Sequence, residues 1–252
     1  MIKYLGYIGC IVCVFCGVAS LSPAQTIDDI ILMSEQFPPY NFEQDGKLQG
    51  IAIDVVARIL EQLHSKQRRE DIQILPWSRS YQLLQKEKNT ALFSMTRTPA
   101  REDLFKWVGP LSTGKNVLIA KKDRKIRVAS VEDLQAYKIG AVRHDAGEQL
   151  AQSLGVKAEM MDITTDARPN IRKLAIGRID LFAYDENVAK WLMAQEGLNP
   201  NDFESVYLLA ESVHYIGFHK ETPDALILQV QAALDEIKAS GEYEKILAQY
   251  LQ

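Results

Sequence analysis

The stretch Ser94-Met95-Thr96-Arg97-Thr98-Pro99-Ala100-Arg101 places hydroxyls and guanidinium groups side by side, and Gly177-Arg178-Ile179-Asp180 with Asp185 follows some eighty residues later. Arginine presents a planar fork that pairs both oxygens of a carboxylate at once, and neighbouring hydroxyls assist it. A separate carboxylate suits an ammonium group. If the two sets sit on different halves of the molecule, a small zwitterion held between them draws the halves together. That chemistry is binding, and it breaks no bond.

Each of these residues also has a plainer reading. Arg101 opens the charged run Arg101-Glu102-Asp103, the usual setting of a solvated surface side chain. Asp185 precedes a helical pattern and is a favoured N-cap. Phe37 and Trp77 suit a core as well as a ligand wall, and Arg79, Arg97 and Glu35 are expected to be exposed. Enzyme chemistry finds little support. His64, His144, His214 and His219 lack metal-ligand spacing, since His214 and His219 stand five apart on a predicted strand and so on opposite faces. Nucleophile elbow, P-loop and dinucleotide fingerprints are absent from the sequence. No catalytic residue, metal or cofactor is therefore expected.

The first residues address the compartment. Lys3 is followed by an apolar run from Leu5 to Val18, shorter than the roughly 20 residues that span a bilayer. Ser22-Pro23-Ala24 then supplies small residues where a signal peptidase cuts. The expectation is a leader removed after Ala24 and a periplasmic location, in preference to an uncleaved anchor. A lipoprotein reading at Cys10 is disfavoured by the bulky Tyr7 before it. Cys10, Cys13 and Cys16 all lie in this leader, so the mature chain is expected to hold no disulfide, thiol nucleophile or cysteine-bound metal. Without Lys3 the remaining 28 basic and 33 acidic residues give a net charge of −5, which offers no electrostatic case for nucleic acid or anionic membrane.

The elements that must position these groups read as short apolar runs alternating with helix-period stretches, the pattern of an α/β fold with mostly parallel strands. Strands are expected at Ile30–Met33, Ile72–Leu75, Thr90–Met95, Val117–Ala120, Lys138–Val142, Ala158–Met161, Leu181–Tyr184, Val206–Ala210 and Tyr215–His219. Helices are expected at Ile51–Leu63, Ser80–Lys86, Gly147–Leu154, Ile171–Ile176 and Asp185–Glu196, with two more in Asp224–Leu251 broken near Ser240-Gly241. The charged run Lys121–Arg127 suits a crossing into a second lobe, and a late return would complete two crossings. Ligands in such sheets bind at the carboxyl ends of strands.

On Phe37-Pro38-Pro39-Tyr40-Asn41-Phe42, Asp45-Gly46-Lys47-Leu48-Gln49-Gly50 with Ile53-Asp54, Thr96 to Arg101, Gly177 to Asp180 with Asp185, and Ser240 to Leu247, the chain resembles the family 3 extracellular solute-binding proteins. These are periplasmic receptors for polar amino acids that feed ABC transporters, and the resemblance covers residues 27 to 252. It implies a two-lobed type II periplasmic binding protein fold, each lobe a mostly parallel sheet flanked by helices. Lobe 1 would comprise residues 26–112 and 213–252, and lobe 2 residues 113–212. It further implies that Arg101 takes the ligand carboxylate with Thr96 assisting. Ser94 would meet the amino group, Asp185 pair with the ammonium, and Phe37 and Trp77 form aromatic walls. The partners implied are a small polar ligand and a membrane permease, and the default state is a monomer. One departure concerns the first helix of lobe 2, where the family commonly has Gly followed by Ser or Thr. Here Arg143-His144-Asp145-Ala146-Gly147-Glu148 stands in that place. Asp145 with Glu148 is a capping-box pattern that satisfies the helix N–H groups internally. Arg143 would then compensate for the acid, or the ligand is not a standard α-amino acid. A periplasmic sensor and a dehydratase-like enzyme on the same fold are the alternative readings.

Overall fold

The structure, a computed structural model, describes residues 24–250. The expected leader therefore lies, but for its last residue, outside the described residues. The chain runs through β1 (Ile31–Ser34), a hairpin of β2 (Phe42–Gln44) and β3 (Lys47–Gln49), α1 (Ile51–Gln62), β4 (Gln73–Ile74), α2 (Trp77–Lys86), β5 (Thr90–Thr96) and β6 (Phe105–Lys121). It continues with β7 (Ile139–Val142), α3 (Ala146–Ser153), β8 (Met161–Thr164), α4 (Ala167–Ala175), β9 (Leu181–Asp185), α5 (Glu186–Gln195), β10 (Phe203–His219), α6 (Asp224–Ala239) and α7 (Glu242–Tyr250).

All strands except the hairpin align in the order β4-β1-β5-β10-β6-β9-β7-β8. β4, β1 and β5 are parallel in one lobe, and β9, β7 and β8 are parallel in the other. The antiparallel pair β6 and β10 joins them, with register running from Phe203↔Lys121 to His219↔Phe105. Largely apolar runs produce this arrangement: every residue of β5 and of β9 is buried, the polar Thr90, Ser94, Thr96 and Asp185 included, as parallel strands covered on both faces require. Helix α1 presents Ile51, Ala52, Val55, Val56, Ile59 and Leu60 to the lobe 1 core at the spacing of one helix face. Ile139, Ala141, Leu118, Leu134 and Leu181 pack in a separate cluster of lobe 2.

Several expectations need correction. Val117–Ala120 is part of the long β6, and Val206–Ala210 and Tyr215–His219 are parts of one strand, β10. The polar interval Glu211-Ser212-Val213-His214 interrupts the apolar run, yet it continues the ladder opposite Lys115 to Ser112. The chain thus changes lobes within its strands, before the charged run Lys121–Arg127 begins. Ala158–Met160 forms a single 3-10 turn, and the strand follows it at Met161–Thr164. Helix α2 opens at Trp77, three residues before the expected start.

The first turn of α3 lies unusually close to β9. A Cβ added at Gly147 would stand 2.4 Å from the Ala183 carbonyl oxygen and 2.7 Å from its carbon, both backbone atoms. We expect Gly147→Ala to destabilise the protein by about 1–3 kcal/mol, the cost of overpacking a well-filled contact. Urea unfolding should show a lower midpoint with an unchanged slope. A midpoint equal to that of the parent would show that α3 shifts without cost.

Candidate functional site

Strand ends from both lobes converge on one cleft, with β1 and β5 arriving from lobe 1 and β7 and β9 from lobe 2. Beyond the end of β5, Arg101 is fully buried, although its sequence neighbours are exposed. Its guanidinium lies 5.2 Å from the ring centres of both Trp77 and Tyr81. Those residues are four apart on α2 and therefore share one face of it. Nη1 donates to the Thr96 carbonyl at 2.9 Å, and Nη2 crosses to lobe 2 to donate to the His144 carbonyl at 2.7 Å. Nε is buried without a partner among the described residues. Burial lowers the proton affinity of the guanidinium, and the nearby Asp145 carboxylate works against that fall.

The sequence reading missed both Tyr81 and His144. Tyr81 was legible as the i+4 neighbour of Trp77. His144 adopts a left-handed φ of 62°, a conformation that glycine usually supplies, and its ring stacks on Tyr81 at 5.7 Å. The expected internal satisfaction of the α3 N-terminus is present in altered form. Asp145 Oδ1 accepts from the Gly147 N–H at 2.9 Å, while Glu148 accepts from the His144 N–H, one residue further back than a capping box places it. Burial pushes the Asp145 carboxyl above its ordinary range, opposed by Arg101. The structure does not bring Arg143 to this group: its side chain is exposed, and its backbone N–H pairs with the Thr164 carbonyl.

Asp185 approaches from lobe 2 and has two tasks. Its Oδ1 accepts from the backbone N–H groups of Asn187 and Val188 at 3.0 and 3.1 Å, capping α5 as the plainer reading expected. Its Oδ2 is buried without a partner among the described residues. That oxygen faces the middle of the long strands, where a Cβ added at Gly114 would stand 2.4 Å from it, 2.9 Å from the Tyr40 hydroxyl and 3.1 Å from the Ser212 hydroxyl. Burial raises the Asp185 carboxyl to about 7. From lobe 1, the Tyr40 hydroxyl donates to the Thr113 carbonyl at 3.0 Å and accepts from the Asn187 side chain at 3.3 Å.

Ser94 is the extra residue of a β-bulge, because Met95 pairs with Tyr215 and Phe93 with Ile216. Its φ is 62° and its hydroxyl is buried without a partner among the described residues. Bulges of this kind re-aim a side chain out of the ladder. Phe37 packs against Tyr40, Tyr184 and His214 with ring centres 5.4 to 5.9 Å apart. His214 is wholly buried, shares a 2.9 Å hydrogen bond with Ser112, and is held down to about 3 by desolvation.

Glu35 departs from its expected exposure. It stands just past β1 and lines a cavity of about 190 Å³ together with Trp77, Tyr184, Asp166 and Arg168. Burial pushes its carboxyl well above the usual range, the fields of Asp145 and Asp166 add to the rise, and Arg101 opposes it. The Tyr184 phenol is likewise pushed well up, first by burial and then by Glu35, Asp145, Asp166 and Asp185. Arg97 and Arg79 lie outside this group, Arg97 pairing with Glu102 and Arg79 exposed.

Comparison with known proteins points the same way. The profile of the bacterial extracellular solute-binding proteins, family 3, matches residues 30–252. YxeM of Bacillus subtilis strain 168, described as a probable amino-acid-binding protein, is 24% identical over 243 residues, 93% of this chain and 88% of that protein. An arginine-binding periplasmic protein of Mannheimia haemolytica is 24% identical over 88% of this chain and 91% of its own length. Among solved structures, a histidine kinase sensor domain with similarity to periplasmic binding proteins matches with a TM-score of 0.77 at 18% identity, covering 88% of this chain and 96% of the other. At that identity the likeness carries the two-lobed fold alone.

Proposed function

The chain belongs to the bacterial extracellular solute-binding proteins, family 3, and on that footing we propose that it captures a small polar, amino-acid-like solute between its lobes for an ABC permease. The observation that carries this reading is a buried Arg101 of lobe 1 that reaches the His144 carbonyl of lobe 2, together with a buried Asp185 of lobe 2 whose Oδ2 has no partner among the described residues. Such a pair across a moving boundary converts ligand contact into closure, because a ligand favours the closed state by the affinity it gains there over the open one. We assign Arg101, Thr96, Ser94, Phe37 and Trp77 of lobe 1 and Asp185 and Asp145 of lobe 2 to the surroundings of the ligand, with Arg143 at the rim. The lobes divide as residues 26–112 with 213–252 and residues 113–212. The mature chain works as a monomer in the periplasm.

A thermal-shift screen of residues 25–252 against amino acids, amines, dicarboxylates and small peptides tests the reading. A ligand present at about 100 times its dissociation constant adds roughly 2.7 kcal/mol and raises the melting temperature by about 5–10 °C. Small-angle scattering should show the protein contract in the presence of the same ligand. Stabilisation without contraction would remove hinge closure, and no response to any class would remove solute capture.

Asp185→Asn gives a sharper test, because the amide keeps the shape and the capping oxygen but loses the charge. An amine ligand should weaken by about 10- to 150-fold, the worth of a charge-assisted hydrogen bond. Titration calorimetry reads this directly. Equal weakening of a ligand without an amine would rule out the ammonium role.

A further inference from the structure

We propose that the cavity bordered by Glu35 and Asp166 receives the side chain of the captured solute, and that this side chain ends in an ammonium or guanidinium group. The solute is then a basic amino acid whose carboxylate lies against Arg101. The inference rests on the cleft being the ligand site and narrows the class of solute that enters it.

Two sets of unanswered groups meet in this part of the cleft. The first consists of donors. Arg101 gives Nη1 and Nη2 to the Thr96 and His144 carbonyls, but its Nε is buried without a partner among the described residues. The Ser94 and Thr98 hydroxyls and Trp77 Nε1 are buried and unpartnered in the same way. Buried donors are normally satisfied, and a carboxylate beside the guanidinium supplies acceptor oxygens.

The second set consists of acids. Glu35 from lobe 1 and Asp166 from lobe 2 border one cavity of about 190 Å³, several times the roughly 30 Å³ that a water molecule occupies in the liquid. What acts on the Glu35 carboxyl is burial first, then the fields of Asp145 and Asp166, with Arg101 in opposition, and no described residue donates a hydrogen bond to it. Arg168, a cation on the same wall, is held by Glu196 at 3.0 Å. A cation entering the cavity therefore meets two carboxylates. An acidic side chain would meet like charge, and a short one would leave Glu35 without a partner.

Trp77 joins the two sets. It lines the cavity, and its ring centre lies 5.2 Å from the Arg101 guanidinium, so the acids open onto the space beside the group that takes the carboxylate. Trp77 of lobe 1 and Tyr184 and Leu192 of lobe 2 form the walls between. Lysine and arginine side chains lay their methylene stems along apolar surface of this kind, and aromatic rings favour the cationic end. Because both lobes contribute to the walls, filling the cavity favours the closed state.

Calorimetric titration of residues 25–252 tests this with two matched pairs, lysine against norleucine and arginine against citrulline, in which a neutral group replaces the side-chain cation and the α-amino acid is unchanged. Glutamine and glutamate serve as further probes. At least one cationic member should bind on the order of tenfold or more tighter than its neutral counterpart. Glu35→Gln should erase most of that preference, while Glu35→Asp, which keeps the charge, should retain part of it. Neutral members that bind as tightly as the cationic ones in both pairs, a preference that survives Glu35→Gln, or binding of glutamine or glutamate alone overturns the proposal and leaves the cleft as the ligand site. Silence from all six probes also overturns it, and the cleft reading falls with it only when the wider thermal-shift screen is silent too.

Discussion

Replacing Arg101 with alanine should lower the melting temperature by about 6–20 °C and weaken ligand binding by about a hundred- to a few-thousandfold. Both figures follow from the cost of breaking a buried charge arrangement, about 3–5 kcal/mol, at about 2–4 °C per kcal/mol for a chain of this size. The guanidinium has no exposure, so water cannot take its place. Its removal takes the opposing field of the guanidinium away from Asp145 and Glu35 and hollows the space between Trp77 and Tyr81. It also deletes the hydrogen bond to the His144 carbonyl, a direct tie between the lobes. A second variant separates packing from charge. Arg101→Met refills the space between the rings and should recover part of the lost stability, since buried ion pairs are often no more stabilising than a well-packed apolar residue. It should not recover binding. Chemical unfolding and titration of the two variants side by side decide the matter, and an alanine variant with parental melting and parental affinity would remove Arg101 from the site.

The unliganded protein should gain stability as the pH falls from 8 to 6, and the affinity for an amine ligand should fall over the same interval. The sign follows from Asp185, whose folded value of about 7 exceeds its ordinary 3.8. Between those values the native state holds more protons than the unfolded one, so stability drops as the pH rises. From pH 8 to 6 this one group contributes about 1 kcal/mol, and about 4 kcal/mol across the whole displacement. Glu35 and Asp145, also raised, act in the same sense. His214 acts in the opposite one. Its folded value of about 3 lies below its ordinary 6.5, so stability is lost as the pH falls through that window.

The two trends place maximum stability in mildly acidic solution. The charged and polar groups facing Asp185 are Asp145 and Glu186, the Tyr40 hydroxyl, and the N–H groups of Asn187 and Val188. An ammonium group on Asp185 requires the ionised carboxylate, so its affinity should fall about tenfold between pH 8 and 6. Melting curves at four pH values for the parent and for Asp185→Asn provide the check. An identical slope in the two proteins would place the titration elsewhere.

What the sequence disclosed follows from how each residue does its work. Arg101 and Asp185 announce themselves by type, because a guanidinium after a strand and a carboxylate before a helix are chemical statements in any fold. Strands β5 and β9 are legible because each carries a short apolar run, Ala91 to Phe93 and Leu181 to Ala183, bounded by the polar site residues. The long β6 and β10 are not, since Ser112, Ser212 and His214 are polar residues buried where the lobes meet, and burial there cannot be read from polarity. Glu35 is hidden for a related reason: a carboxylate beyond a strand looks solvated until a second lobe is known to cover it. His144 depends on a left-handed backbone that a one-dimensional pattern does not contain.

The antiparallel pairing of β6 with β10 joins residues some eighty to a hundred and fifteen positions apart. Everything between Lys121 and Phe203 is therefore a closed excursion whose strands pair with one another and, through β9, with residues 116–120 of β6 that immediately precede it. The first lobe is an interrupted one. Strand β5 has to await His214 to Phe218, and α1 awaits α7, where the Tyr250 hydroxyl reaches back to Asp54 at 2.8 Å and to the Gly50 N–H at 3.0 Å. As the chain emerges from its N-terminus, lobe 2 can complete its sheet while lobe 1 still lacks its last strand and two covering helices. The late, slow event of folding is then the docking of the final forty residues on the first ninety, a set of long-range closures of the kind that sets folding speed.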